Sequence, residues 1–432
     1  MNHNNAAQED ALKLIKNLGY YQTFYTAASQ FNSIIFRLVV GVLSGINSTA
    51  LAIDGLAEYT VNASLEIPGG WLSDRIGKAR CGLLGLTGLA ISQIFVFLAV
   101  YLAKSNPSLS GIFIILDGIV LGSSGPLLSG SVEGFYQAHL QKIASSDENL
   151  KALVEDSFTH SANFGKYVTP IATLGAFVLS YIYSANAKYL LLAGMLLYIF
   201  AIVRLLKDYI RFGDPFKSEH PPHTAVLLIL KNVCSSKKLK TSFFLRTSYF
   251  ALAAPIAGFG IVSLGRYYQY DQTLFWKVLF LFYFGNLFVG WYLRGLIVPK
   301  LLARYTRNTI LSALFICYCA LSFYLANHFD AISINTFLVV LVIYLMFYQL
   351  LTGSINSFAT NLALNETDPS LHALALSIQN IPGYIFTVIF CGGLIKWFNG
   401  AFNPHQMFLF LAYASILTLA PLLFMKMRGI EY

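Results

Sequence analysis

The sequence predicts an all-α integral membrane protein with about twelve spans. Three observations predict it. Of the 432 residues 56% are hydrophobic and only 11% charged, with mean hydropathy +0.61, whereas a soluble chain carries about a quarter of its residues charged. A chain so short of charge cannot cover itself against water, so lipid must solvate it. Apolar runs of bilayer length, roughly 20 residues each, recur from end to end. Lysine and arginine sit between these runs and crowd alternate connections.

Taken in order, the runs give Phe24–Ile46, Thr49–Trp71, Cys81–Ala103, Gly111–Tyr136, Ser161–Ser184 and Tyr189–Leu206 in the first half. The second half gives Ser242–Leu264, Leu274–Val298, Thr309–Ala326, Asn335–Phe358, Ala373–Ile395 and Met407–Met425. The expected organisation is a cytoplasmic segment over 1–23, a bundle over 24–206, a connection over 207–241, a second bundle over 242–425 and a short tail over 426–432. The connection holds Pro215, Pro221, Pro222 and a lysine cluster. Its apolar middle, Thr224–Val233, is too short to span and suits an interfacial helix.

With the N-terminus inside, about 20 of the 29 basic residues fall in cytoplasmic segments and about five outside. Both termini are therefore expected in the cytoplasm. Met1–Asp10 lacks the basic start of a cleavable leader, and a bacterial inner membrane is the expected location. The net charge of +9 belongs to loops that set orientation and meet anionic lipid, so nucleic acid is not an expected partner. Five scattered cysteines read as small apolar fillers, and His220 with His223 as solvated loop residues rather than metal ligands. No nucleotide loop, zinc-protease motif or nucleophile elbow occurs, so neither an enzyme nor an ATP-driven pump is indicated, and no cofactor or metal is expected.

At Glu66-Ile-Pro-Gly-Gly70-Trp-Leu-Ser-Asp74-Arg75-Ile-Gly77-Lys78-Ala-Arg80 an apolar run breaks into alternating charge. Pro68 removes a helical donor and the glycines permit close packing, so a bend is expected there. The residues Gly70, Asp74, Arg75, Gly77, Lys78 and Arg80 resemble motif A of the major facilitator superfamily. Ser129-Gly-Ser-Val-Glu133-Gly-Phe-Tyr136, with Gly165-Lys166 later, resembles a pattern of one branch of that superfamily. The resemblance implies two six-helix bundles related by a pseudo-two-fold axis, with a solute site between them near mid-membrane. It also implies an inner-gate network of Asp74, Arg75, Lys78, Glu133 and Lys166, with an ordinary positive-inside loop as the plainer reading. Gly290 to Arg294, then Lys300 to Arg307, forms a degenerate copy in the second half without the aspartate.

Ionisable residues inside spans are functional candidates. Asp54, Glu58, Asn62 and Glu66 recur every four residues and so form a slowly drifting stripe on one helix face. Arg37 lies level with Glu58 across the first hairpin and is expected to pair with it, either as a structural tie or as part of coupling. Asp117, in a helix that the resemblance places along the cavity and within reach of outside water, is the expected proton-coupling residue. A cap or a hydrogen bond within the bundle is its alternative role. Tyr249, Gln349, Asn356, Gln379 and Asn380 offer uncharged polar groups for a small organic solute. The expected function is secondary transport by alternating access, coupled to protons, by a chain that needs no oligomer. The fourth span lacks the arginine that proton antiporters of the superfamily carry, which points to uptake of a nutrient or siderophore. Efflux of a drug or metabolite is the alternative within the class. A non-transporting receptor or interaction protein on the same fold is the alternative outside it.

Overall fold

The computed structural model describes residues 2–43, 46, 49–128, 131–132, 135–136, 139–140, 168, 171–213, 231, 233, 235–284, 297, 300–301, 304–365, 372–398 and 403–427. The long elements are all helical: α1 Asn2–Leu38, α2 Thr49–Ile76, α3 Lys78–Leu102, α4 Pro107–Leu128, α5 Ile171–Ile182 and α6 Leu190–Phe212. There follow α7 Lys237–Ala253, α8 Ile261–Tyr267, α9 Gln272–Tyr283, α10 Arg307–His328, α11 Ile334–Asn365, α12 His372–Phe398 and α13 Pro404–Met427. Among the described residues six helices are long and apolar enough to cross a membrane, and Ile171–Ile182, Thr273–Tyr283 and Pro404–Leu419 are shorter apolar stretches.

Local chemistry sets many helix starts. Ser236, Asp271 and Thr306 stand at the N-caps of α7, α9 and α10, and each side chain accepts a hydrogen bond from the backbone N–H three residues on. A π-turn, Val39–Leu43, closes α1, and another, Ala254–Gly260, joins α7 to α8. π-turns disturb the regular ladder and often mark functional segments.

The chain divides into two compact units, Met1–Phe36 with Thr60–Ala225, and Arg37–Tyr59 with Val226–Tyr432. The expected boundaries kept the whole first hairpin in the first bundle. Packing instead assigns its far end, Arg37–Tyr59, to the second unit. Val42 packs on Gly265, Arg266 donates to the Ile46 carbonyl at 3.4 Å, and Tyr59 lies 5.8 Å from the Tyr384 ring.

Two helix ends also differ from expectation, and both differences lie in the first unit. The segment 1–23, expected as a separate cytoplasmic piece, is the first part of α1 from Asn2 onward. Ala11, Leu14, Leu18 and Tyr21 are buried with Tyr136, Leu140, Tyr198 and Leu205 in that unit's core. The sixth span does not stop at Leu206, because α6 continues to Phe212 and Gly213 ends it at φ 68°. The core of the second unit is aromatic. Tyr344 stacks on Tyr318 at 4.9 Å and donates to its hydroxyl at 2.6 Å, while Phe408 meets Tyr344 edge-on at 5.3 Å.

Candidate functional site

The motif A stretch is built differently from the expected bend. α2 continues as one helix through Pro68 and ends at Ile76. Gly69 makes the close approach, since a Cβ there would lie 2.7 Å from Pro126 Cβ, whereas Gly70 faces open space. Gly77 forms the corner at φ 109°, a backbone region that side chains disfavour by about 1–3 kcal/mol. Lys78 then opens α3. The Arg75 guanidinium lies 5.0 Å from the Trp71 ring, and Arg80 donates to the Tyr209 hydroxyl of α6 at 2.7 Å. Ser131 donates to Ser73 at 2.8 Å. Asp74 is described for its backbone alone, and Glu133 and Lys166 lie outside the described residues, as do Gly290 to Arg294, His220 and His223.

In the second unit, Arg37 and Glu58 come together at Tyr59: both act on its hydroxyl electrostatically, as does Tyr384. Arg37 also acts on Tyr283 and Tyr348, and Tyr249 acts on Tyr348. Arg37 and Glu58 thus share Tyr59, and Arg37 alone reaches on to Tyr283 of α9 and Tyr348 of α11. On the same face of α2 Gly55 abuts α12, where a Cβ would lie 3.1 Å from the Cys391 sulfur, and Asp54 and Glu58 flank that thiol. Asp54, Asn62 and Glu66 are buried and Glu58 half-buried, as a stripe facing protein requires.

Arg246 gathers the polar groups of the second half. It donates to Asn380 at 2.7 Å and to Asn356, and its guanidinium lies 5.2 Å from the Tyr249 ring and 5.4 Å from Phe250. Phe250 in turn meets Tyr384 edge-on at 5.2 Å. Asn356, Asn380 and Tyr249 therefore form one constellation around a cation, which makes anionic or strongly hydrogen-bonding groups its chemical complement. Gln379 is placed differently from the expected cavity group. Only 1% exposed, it donates to the backbone carbonyls of Ser242 (3.2 Å) and Ala359 (3.1 Å) and to the Ser242 hydroxyl, so it ties α7, α11 and α12 together. Gln349, on α11, lies one residue from Tyr348.

Asp117 is buried inside the first unit at 1% exposure, so in this conformation it does not meet outside water. It acts electrostatically on Tyr198 of α6, whose hydroxyl also neighbours Ser29, Asn32 and Tyr25 of α1. Neither Tyr198 nor Asn32 was recognised from sequence, because each is a single polar residue in an apolar run with no spacing to mark it.

A second unforeseen centre is Asp208, at 3% exposure. Asn17 donates to it at 2.7 Å, Tyr136 at 2.6 Å and Arg204 at 3.2 Å. The apolar run was closed at Leu206, just ahead of Lys207, and that hid the aspartate. Among the described residues no three His, Cys, Asp or Glu side chains stand where they could hold a metal.

No protein-family model and no curated protein sequence matches the chain. Solved structures do match it along almost its full length. A mutant form of the nucleoside transporter NupG is 16% identical, with TM-score 0.67, covering 96% of this chain and 99% of that one. A peptide transporter POT in complex with sulfate is 14% identical, with TM-score 0.65, covering 96% and 94%. A D-xylose-proton symporter is 11% identical, with TM-score 0.60, covering 94% and 96%. The fold is that of the major facilitator superfamily transporters.

Proposed function

We propose that this chain, with its major facilitator fold, is a secondary transporter that moves a small organic solute by alternating access. The observation that supports the reading is that Arg37 neighbours Tyr59, Tyr283 and Tyr348, the last of them next to Tyr249 of the Arg246–Asn356–Asn380 constellation in the same unit. Charges inside a bilayer are expensive, and they persist where they bind a solute or move an ion. The solved structures of this fold carry transporter names for nucleosides, peptides and D-xylose with protons, so the first solutes to test come from those classes.

Proton coupling through Asp117, with Glu58 and Arg37 as further candidates, completes the reading. The motif A residues Gly70, Asp74, Arg75, Gly77, Lys78 and Arg80, with Glu133 and Lys166, act as the inner gate. Tyr249, Asn356 and Asn380 contact the solute, with Gln349 nearby. Both termini lie in the cytoplasm, and uptake across a bacterial inner membrane is the favoured direction. Efflux is the alternative, argued only from sequence. The test is a thermal-shift screen of purified protein against nucleosides, sugars, short peptides, amino acids, siderophores and cationic drugs. A specific ligand at 100 times its Kd stabilises the folded state by about 2.7 kcal/mol. One class should shift the melting temperature saturably, and Asn380→Ala should weaken that shift. If no class shifts it, the solute-binding reading fails.

A further inference from the structure

At the end of the first unit where motif A lies, α1 and α6 share a surface patch that the transport reading does not use. Its apolar part is aromatic, with Phe24 of α1 5.5 Å from Phe200 of α6. Phe200 and Val203 are exposed on the outward face of α6, as lipid-facing residues would be. One turn further the chemistry changes. Two cations from different helices converge on one exposed ring: the Lys16 ammonium and the Arg204 guanidinium each lie 5.9 Å from the Tyr20 centroid. Lys207 is exposed beside them on α6.

Arg204 is held rather than free to swing. Its Nη2 is 3.2 Å from Asp208, which Asn17 and Tyr136 fix in turn. Asp208 is buried and turned toward those partners, so the rim that it supports is cationic. About two turns beyond Lys16, Asp10 pairs with Arg211 at 3.1 Å and Glu9 is exposed, so the excess of positive charge ends there. The depth also fits. In the 3-10 turn Ser184–Tyr189 that leads into α6, Lys188 sits 5.2 Å from the Tyr101 ring and 5.4 Å from Tyr189. From Lys188 to Lys207 is about 29 Å of helix, against a hydrocarbon core of about 30 Å. The Tyr20 cluster therefore stands at headgroup level when the apolar stretch of α6 fills the bilayer.

We propose that this patch is a binding site for one anionic phospholipid: Lys16, Arg204 and Lys207 take the headgroup phosphate over Tyr20, and an acyl chain lies along Phe24 and Phe200. A tyrosine ring flanked by cations suits the boundary between apolar and charged layers, and the pre-set guanidinium matches phosphate geometry. The patch selects for headgroup charge and needs an attached chain.

The test is binding of phosphatidylglycerol, phosphatidylcholine and inorganic phosphate to the purified full chain, followed by native mass spectrometry and thermal shift. Lys16→Gln with Lys207→Gln removes two rim charges and leaves the Arg204–Asp208 pair intact, so the bundle should still fold. Phosphatidylglycerol should bind the wild type in preference to phosphatidylcholine, and phosphate alone should not shift melting. The double variant should bind phosphatidylglycerol roughly 30-fold more weakly, at about fivefold per cationic side chain. Lys104→Gln with Lys188→Gln removes the same charge from the opposite end and should bind like wild type. The proposal is overturned if both double variants lose equally, if neither loses, if the two lipids bind alike, or if phosphate alone reproduces the shift.

Discussion

At the residue scale, the least conspicuous charge in the sequence is among the best-held in the fold. Asp208 takes three hydrogen bonds while nearly excluded from solvent. Hydrogen bonds to charged groups contribute about 1.5–3 kcal/mol. Tyr136→Phe removes one of them while Asn17 and Arg204 stay, so denaturant stability should fall by about that amount. A loss under about 0.5 kcal/mol would show that the Tyr136 bond carries little weight. Arg37 and Glu58 meet at Tyr59, and the proposed reading gives them a use in transport. Removing one partner of a half-buried pair leaves the other charge uncompensated, which costs less than the roughly 3–5 kcal/mol of a fully buried pair. Arg37→Met alone should therefore destabilise more than Arg37→Met with Glu58→Gln. Additive losses in that cycle would show that the two charges do not interact. Level across a hairpin singled out Arg37 and Glu58 in the sequence, since neighbouring helices joined by a short turn have a calculable register, and that cycle tests whether they pair. Asp117 could be named but not placed. Its neighbour Tyr198 is 81 residues on, and nothing in either run reports which helices of a bundle meet.

At the element scale, apolar runs located the helices well and their ends poorly. A membrane helix does not stop where hydropathy does. α1 and α6 both continue past the apolar stretch, because Leu14, Leu18 and Leu205 bury against each other and Asn17 binds Asp208. The motif A residues were legible because their chemistry is local, but the corner falls at Gly77 and not at the expected Pro68. Gly77→Ala places a Cβ at φ 109° and should lower stability by about 1–3 kcal/mol while reducing transport. A variant as stable as wild type would mean that the corner rearranges at no cost. The contact between α2 and α12 gives a sharper test. A Cβ at Gly55 would stand 3.1 Å from the Cys391 sulfur, close to the spacing across a disulfide. Gly55→Cys should cross-link to Cys391 on mild oxidation, arrest transport and recover on reduction. Full transport by the cross-linked protein would show that this contact need not part during the cycle.

At the scale of the whole molecule, composition alone decided the class, since a chain with 11% charged residues has few ways to fold in water. The likeness of fold along some 96% of the chain agrees with that class at only 16% identity, so side-chain identities, and with them the solute, lie beyond what the fold conveys. The central claim is that an ion gradient drives a solute through this fold by way of Asp117. The most direct measurement uses proteoliposomes and the solute that emerges from the thermal-shift screen, comparing wild type with Asp117→Asn. Counterflow exchange without a gradient should proceed in both proteins. An imposed pH gradient should drive accumulation only in the wild type. Equal gradient-driven accumulation in the two proteins would remove Asp117 from coupling, and wild-type protein that exchanges solute but never accumulates it would contradict proton-driven transport altogether.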